Sequence, residues 1–346
     1  MSRRIYLDHA ATSPLRPEAR AAMEEGFRIW ANPSSPHAEG RKAKAALEDA
    51  RERVKRALGW DGEVIFTSGA SEALWIALNR AKLHRTVVSA VEHDAVLRAA
   101  PDAEMVAILD GAVPLQLLDH SLEGKPAAVV AIQQVNPETG AVVHGGSALR
   151  ETVNRNGGLL LADCSQGAAK LELPDCDMAV VSAHKLGGPI GVGALLVRDF
   201  GLLEPMGGHE RGYRQGTENL PAILGMAAAL EAGGLQSWAT SVGQRALFRD
   251  RFARNRIATG QVSCDYILAL HHPSISAQAL LIRLDAMGFA VSAGSACSSG
   301  TLKKSRVLDA FGVDDETAAR TIRVSIGWNT TPEDLDAFAE AWESLS

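Results

Sequence analysis

The stretch MAVVSAHKLGGPIGVGALLVR, Met178–Arg198, sets two apolar, strand-length runs on either side of a glycine-rich turn, with Lys185 immediately after the first run. Both runs are short and branched, as strands covered on both faces require. Upstream the same motif recurs. GLLLADCS (158–165), AAVVAIQQ (127–134), TVVSA (86–90) and EVIFT (63–67) read as further strands. Helical patterns separate them, including SGASEALWIALNRAK (68–82), a short helix from Asp94, and SALRETVNRNG (147–157), which Gly157 stops. Strands alternating with helices predict an α/β fold whose large unit is built on a mostly parallel sheet.

After about residue 235 the pattern changes. QSWATSVGQRALFRDRFARN (236–255) predicts a long helix. DYILALHH, the helix AQALLIRLDAMG, the strand FAVSA, a glycine–serine stretch, TIRVSIG and a final helix from Pro332 then suggest a smaller α+β unit. The expected division is a large domain over 15–235 and a small domain over 1–14 and 236–346.

Composition narrows the function classes. The chain has 346 residues, 46% hydrophobic and 22% charged, with 35 basic against 41 acidic residues and a net charge of -6. Basic residues are not clustered, so no nucleic-acid partner is expected. RKAKAALEDARERVKR mixes both signs at helical spacing and reads as a solvated helix face. No apolar run is long enough for a membrane span, and the N-terminus lacks a signal-peptide pattern. Cys164, Cys176, Cys264 and Cys297 are irregularly spaced, which suits free thiols in a reducing cytoplasm.

In parallel sheets ligands sit beyond the carboxyl ends of the strands. The segments there are TSGAS (67–71), SAVEHD (89–94), QQVNPETG (133–140), ADCSQ (162–166) and SAHKLGGP (182–189). Ala70 and Ser71 open a helix whose free amides suit a phosphate, or which is simply capped by Ser68 or Ser71. Lys185, if desolvated in a cleft, is a nucleophilic amine, and otherwise a turn lysine. Asp163 ends an apolar strand, where a carboxylate needs a cationic partner such as a pyridinium nitrogen. Gln166 is placed to donate to a ring hydroxyl. His93 suits stacking on a planar cofactor and proton transfer, or a plain hydrogen-bonded surface role. Arg323, amid apolar neighbours, needs an anion: a substrate carboxylate or an internal salt bridge. Cys297, in GSACSSG (294–300), has no large apolar neighbour. It reads as an exposed nucleophile or an incidental surface thiol, while the other cysteines read as inert filler.

Taken together, YLDHAATSP, NPSSPHAEGR, FTSGASEA, VEHDAV, ADCSQGAAKLEL, SAHKLGGPIGVGALLV, GGHERGYRQGTEN, SAGSACSSG and IRVSIGWNTTPED resemble, in order, the blocks of the cysteine desulfurases. These are class V, fold-type-I pyridoxal-phosphate enzymes, and the loop block resembles their long-loop iron–sulfur branch. The resemblance implies that Lys185 holds pyridoxal 5'-phosphate covalently, with Asp163 at its ring nitrogen, Gln166 at its hydroxyl and His93 on its face. It assigns the phosphate to Ala70, Ser71, Ser182 and His184, and to Thr217 of a neighbouring subunit, so a homodimer is implied. It gives the L-cysteine carboxylate to Arg323 with help from Asn32. Cys297 would accept the sulfur as a persulfide, for an iron–sulfur scaffold or another carrier.

The match departs at Asn136-Pro137-Glu138, where the family reads Asn-Asn-Glu. Proline has no side-chain amide, so that role passes to Gln166 alone, to Asn136 or to a water. Cys164 reads as a small buried filler beside Asp163. The chain ends soon after its last helix, where the family has a tail that helps dock the scaffold, which leaves the acceptor open. A selenocysteine lyase or another lyase or aminotransferase of this class, and a non-catalytic paralogue, are the alternatives.

Overall fold

Residue-by-residue alternation along the strands builds the large unit. In the computed structural model, which describes residues 4–143, 146–257, 259–260, 262–293 and 305–345, Val64 and Phe66 face one side of the central sheet while Ile65 faces the other. Val130 and Ile132 oppose Val129 and Ala131 in the same way. Both faces are therefore apolar, and helices cover both.

The sheet contains β2 (Glu63–Thr67), β3 (Arg85–Ser89), β4 (Glu104–Val106), β5 (Ala128–Gln133), β6 (Leu159–Asp163), β7 (Met178–Ser182) and β8 (Gly193–Val197), in the order β2-β8-β7-β6-β5-β3-β4. Neighbours are parallel except β8, which runs antiparallel to both β7 and β2. Gly193 is required at the start of β8, because a Cβ there would lie 2.8 Å from Gly69 Cα.

One face carries α1 (Pro17–Ile29), α2 (Ala38–Leu58), α5 (Leu115–Leu122), α6 (Gly146–Arg155) and α7 (Leu220–Glu231), and the other carries α3 (Ala70–Asn79) and α4 (Asp94–Ala99). Helix α7 is apolar almost all round and is buried. Small residues on both helices let α1 approach it closely: a Cβ on Gly26 of α1 would meet Pro221 Cα at 2.5 Å.

A second apolar cluster gathers α8 (Val242–Arg251), α9 (Ala277–Ala286) and α12 (Pro332–Ser344) around two small sheets. β1 (Ile5–Tyr6) pairs with β10 (Phe289–Ala290) in parallel, and β9 (Ile267–His271) pairs with β11 (Thr321–Ser325) antiparallel. Short helices α10 (Arg306–Ala310) and α11 (Asp315–Ala319) precede β11. The single long helix expected over 236–255 is not formed. Ser241 makes a capping box with Gln244, so the helix begins at Val242, and it ends at Arg251. Cys164, Cys176 and Cys264 are free and buried, as inert filler should be. Burial pushes the Cys176 thiol up to about 12 and Cys264 to about 11. Among the described residues no helix is long and apolar enough to cross a membrane, and no His, Cys, Asp and Glu cluster could hold a metal.

Candidate active site

Six of these strands run in one direction, and the carboxyl ends of β2, β3, β5, β6 and β7 converge on a cleft of about 790 Å³. Ala70, Ser71, His93, Asp163, Gln166, Ser182, His184, Lys185 and Arg323 all line it. Asn32 does not. It is exposed beyond the end of α1, and its Oδ1 accepts from the Ser34 amide at 2.8 Å. Thr217 is also exposed and away from the cleft of its own chain. Cys297 lies outside the described residues.

Lys185 closes a single 3-10 turn that follows β7. Its Nζ donates to the carbonyls of Ala10 and Ala11, the latter at 2.9 Å. Burial lowers its pKa to about 8; Arg323 lowers it further, and Asp163 and Asp8 oppose the shift. A substantial neutral fraction near pH 7.5 follows, where an exposed lysine has almost none.

Asp163, at the end of β6, is buried, and its Oδ1 accepts from Ser165 N at 2.9 Å and Ser165 Oγ at 2.5 Å. Gln166 spends its amide N–H on Ala10 O at 2.8 Å. That donation was expected toward a ring hydroxyl. The atom left is Gln166 Oε1, buried and without a partner among the described residues, and it calls for a hydroxyl donor. His93 caps α4, its Nδ1 accepting from Ala95 N at 3.1 Å. Burial lowers its pKa despite the pull of Asp163, which favours the neutral ring with the proton on Nε2. His184 Nδ1 lies 3.2 Å from Thr12 Oγ1, and burial, reinforced by Lys185 and Lys170, drops its pKa to about 4.

Helix α3 begins at Ala70 with no side-chain cap on its N-terminus, so its first amides are open to an anion. Ser68 does not cap it; its own amide donates to Glu72 Oε2.

Arg323 realises the internal salt bridge. Its Nη2 donates to Asp8 Oδ1 at 2.8 Å and its Nη1 to Pro137 O at 3.1 Å, while Nε is buried without a partner among the described residues. Asn136 is committed elsewhere. Its Oδ1 accepts from Glu138 N, Thr139 N and Thr139 Oγ1, and its Nδ2 donates to Val91 O at 3.4 Å. It is not free to replace the amide that Pro137 lacks. Pro137→Asn is expected to raise kcat/KM by about 2–10-fold, the worth of one hydrogen bond; steady-state kinetics measure it.

Sequence reasoning missed three contributors to this cleft. Asp8 pairs with Arg323 across 315 residues, a separation that no local pattern reveals. Glu92 is fully buried, with Oε1 accepting from Ser89 Oγ at 2.5 Å and Gln133 N at 2.9 Å, and burial pushes its carboxyl up to about 8 against those bonds. Arg306 donates to the carbonyls of Ala90 and Glu92 and so braces the turn that carries His93. Its neighbour Ser305 donates to Glu138 Oε2 at 2.6 Å.

A buried aspartate, a desolvated lysine, a neutral histidine and an open helix start, all on one cleft, fit a phosphorylated pyridine aldehyde. The chain belongs to the aminotransferase class-V family, whose model matches residues 5–338. Within that family it groups with the cysteine desulfurases, which are pyridoxal-phosphate-dependent enzymes. It is 31% identical to cysteine desulfurase IscS 1 of Archaeoglobus fulgidus over 370 residues, covering 97% of this chain and 95% of the relative. It is 35% identical to a cysteine desulfurase of Cereibacter sphaeroides, covering 97% and 94%. Among solved structures, a NifS-like protein from Rickettsia africae superposes with a TM-score of 0.86 at 26% identity, covering 99% of each chain. A structure described as SspA in complex with cysteine superposes with a TM-score of 0.80 at 25% identity, covering 94% of this chain and all (100%) of that one.

Proposed function

We propose that the enzyme converts L-cysteine to L-alanine at this cleft and stores the sulfur as a persulfide on Cys297. The observation that carries the reading is Lys185, half-buried with its ammonium brought down to about 8 by desolvation, in the same cleft as Asp163 and Arg323. Cysteine is the molecule named with the similar SspA structure.

The residues fit pyridoxal phosphate. Lys185 would hold its aldehyde carbon, Asp163 its ring nitrogen, Gln166 its hydroxyl and His93 its ring face. The α3 amides with Ser71, Ser182 and His184 would hold its phosphate, and Thr217 of a second subunit would complete that site in a homodimer. When bound, the cofactor supplies an electron sink that acidifies the substrate Cα–H and weakens its Cβ–S bond. The protein's share is positional and protolytic. Neutral Lys185 Nζ accepts the Cα proton, and the Ala10 and Ala11 carbonyls orient the ammonium so formed. Arg323 orients the substrate carboxylate by exchanging Asp8 for it. His93, with its proton on Nε2, serves as a neutral donor beside Asp163. The net exchange moves the substrate Sγ to Cys297 Sγ and leaves alanine. An iron–sulfur scaffold or another carrier in a reducing cytoplasm then takes the sulfur.

The test incubates the purified enzyme with L-cysteine and measures alanine together with protein-bound persulfide. Wild type is expected to form both, and Cys297→Ser to lose the persulfide. Equal persulfide and alanine from Cys297→Ser would overturn this reading.

A further inference from the structure

A second cleft shares no lining residue with the candidate active site. Its volume is about 660 Å³, within the range of small-molecule sites. It lies where the two apolar clusters meet. Leu173 and Leu230 on its walls belong with the large cluster, and Leu171 packs on the smaller one. Junctions of this kind are common ligand sites.

Lys170 forms part of its lining. The ammonium stands over the Tyr266 ring, 5.0 Å from its centroid. The side chain is half-buried, and among the described residues no carboxylate or carbonyl takes a hydrogen bond from it. Burial lowers its pKa to about 7, with Cys264 opposing and Lys185 adding to the shift. A second cation, Arg56, is exposed at the same cleft. Arg53 is already neutralised by Glu231, at 2.9 and 2.5 Å, and Glu172 is exposed to solvent. The wall is also strained: Ala169 has a φ of 63°, a left-handed conformation that costs a non-glycine residue about 1–2 kcal/mol. Gly234 packs so closely on it that a Cβ there would strike the Ala169 carbonyl. Strain of this kind persists where the surroundings enforce it, and it concentrates at binding sites.

We infer that this cleft is a second ligand site, for a small phosphate- or carboxylate-bearing anion that pairs with Lys170 and Arg56. The site is separate from the desulfurase cleft and does not depend on the reading given to that cleft. The two nonetheless approach each other. A void large enough for about one water is lined by Lys170 on one side and Lys185 on the other.

The test uses the enzyme loaded with pyridoxal phosphate, so that the cofactor's own phosphate site is filled. Inorganic phosphate, pyrophosphate and citrate are titrated separately by calorimetry. In parallel, acylation of Lys170 by a succinimidyl ester is followed by peptide mass spectrometry, with exposed Lys42 and Lys44 as internal references. At least one probe is expected to bind saturably, at millimolar affinity or better, and to slow Lys170 acylation while Lys42 and Lys44 are unchanged. Lys170→Met should weaken that binding by about tenfold or more, the value of a charged hydrogen bond, and Arg56→Ala should weaken it to a lesser degree. The inference is overturned if no probe binds saturably, if Lys170 acylation is unaffected, or if both variants bind like wild type. The acylation experiment is done on the unsubstituted protein, so it decides the matter even if Lys170→Met fails to fold.

Discussion

Lys185→Ala is expected to lower the rate of alanine formation from L-cysteine by at least ~10⁴-fold, the upper range for a positioned general base, while the fold is retained. The residue follows β7 in a short turn, and its backbone does not depend on its side chain: Leu186 and Gly188 both bond back to the Ala183 carbonyl. Lys185→Arg should be equally inactive, because a guanidinium stays protonated. The pH profile is a sharper check. Burial brings the ammonium down from 10.5 to about 8, so the active, neutral form accumulates as pH rises through about 8. Activity should be half-maximal near there and level off about one to two pH units higher. An acid limb centred near pH 10 would contradict the burial seen around Nζ, and near-wild-type turnover by Lys185→Ala would remove the residue from the chemistry.

Arg323→Ala is expected to reduce kcat/KM for L-cysteine by about 10²-fold, the loss of a charge-assisted hydrogen bond to a carboxylate. The substitution also strands Asp8, which lies 2.8 Å from the guanidinium, so some of the loss would appear as instability. Asp8→Asn separates the two effects. It removes the internal competitor while keeping an acceptor oxygen, and so should lower KM with little change in Tm. The double variant should regain stability without regaining affinity. A purely structural Arg323 would instead give variants whose Tm falls and whose KM is unmoved.

Much of this site could be read before any fold was seen, because apolar runs mark where strands end. Asp163 and Lys185 were placed beside a ligand by that logic alone, and the cleft contains both. Other features leave no local mark. The reversal of β8 is invisible in GALLV, since direction does not alter an apolar pattern. Helix α7 is apolar almost all round and shows no period to recognise. The break before Val242 depends on a serine–glutamine cap inside a stretch with continuous helical spacing. The pairing of Arg323 with Asp8, and the commitment of Asn136 to its own turn, depend on three-dimensional neighbours.

The first dozen residues supply Lys185 with both carbonyls, Arg323 with its carboxylate and His184 with a hydroxyl. Those same residues are anchored by the end of the chain: Ile5 pairs with Phe289, and Ala10 N donates to Ser325 Oγ, 315 residues on. During synthesis at about 5–20 residues per second, this segment therefore waits roughly 15–60 s for its partners. The reactive amine gains seated acceptors only after Ser325 has been added, so a partly made chain does not present a working centre.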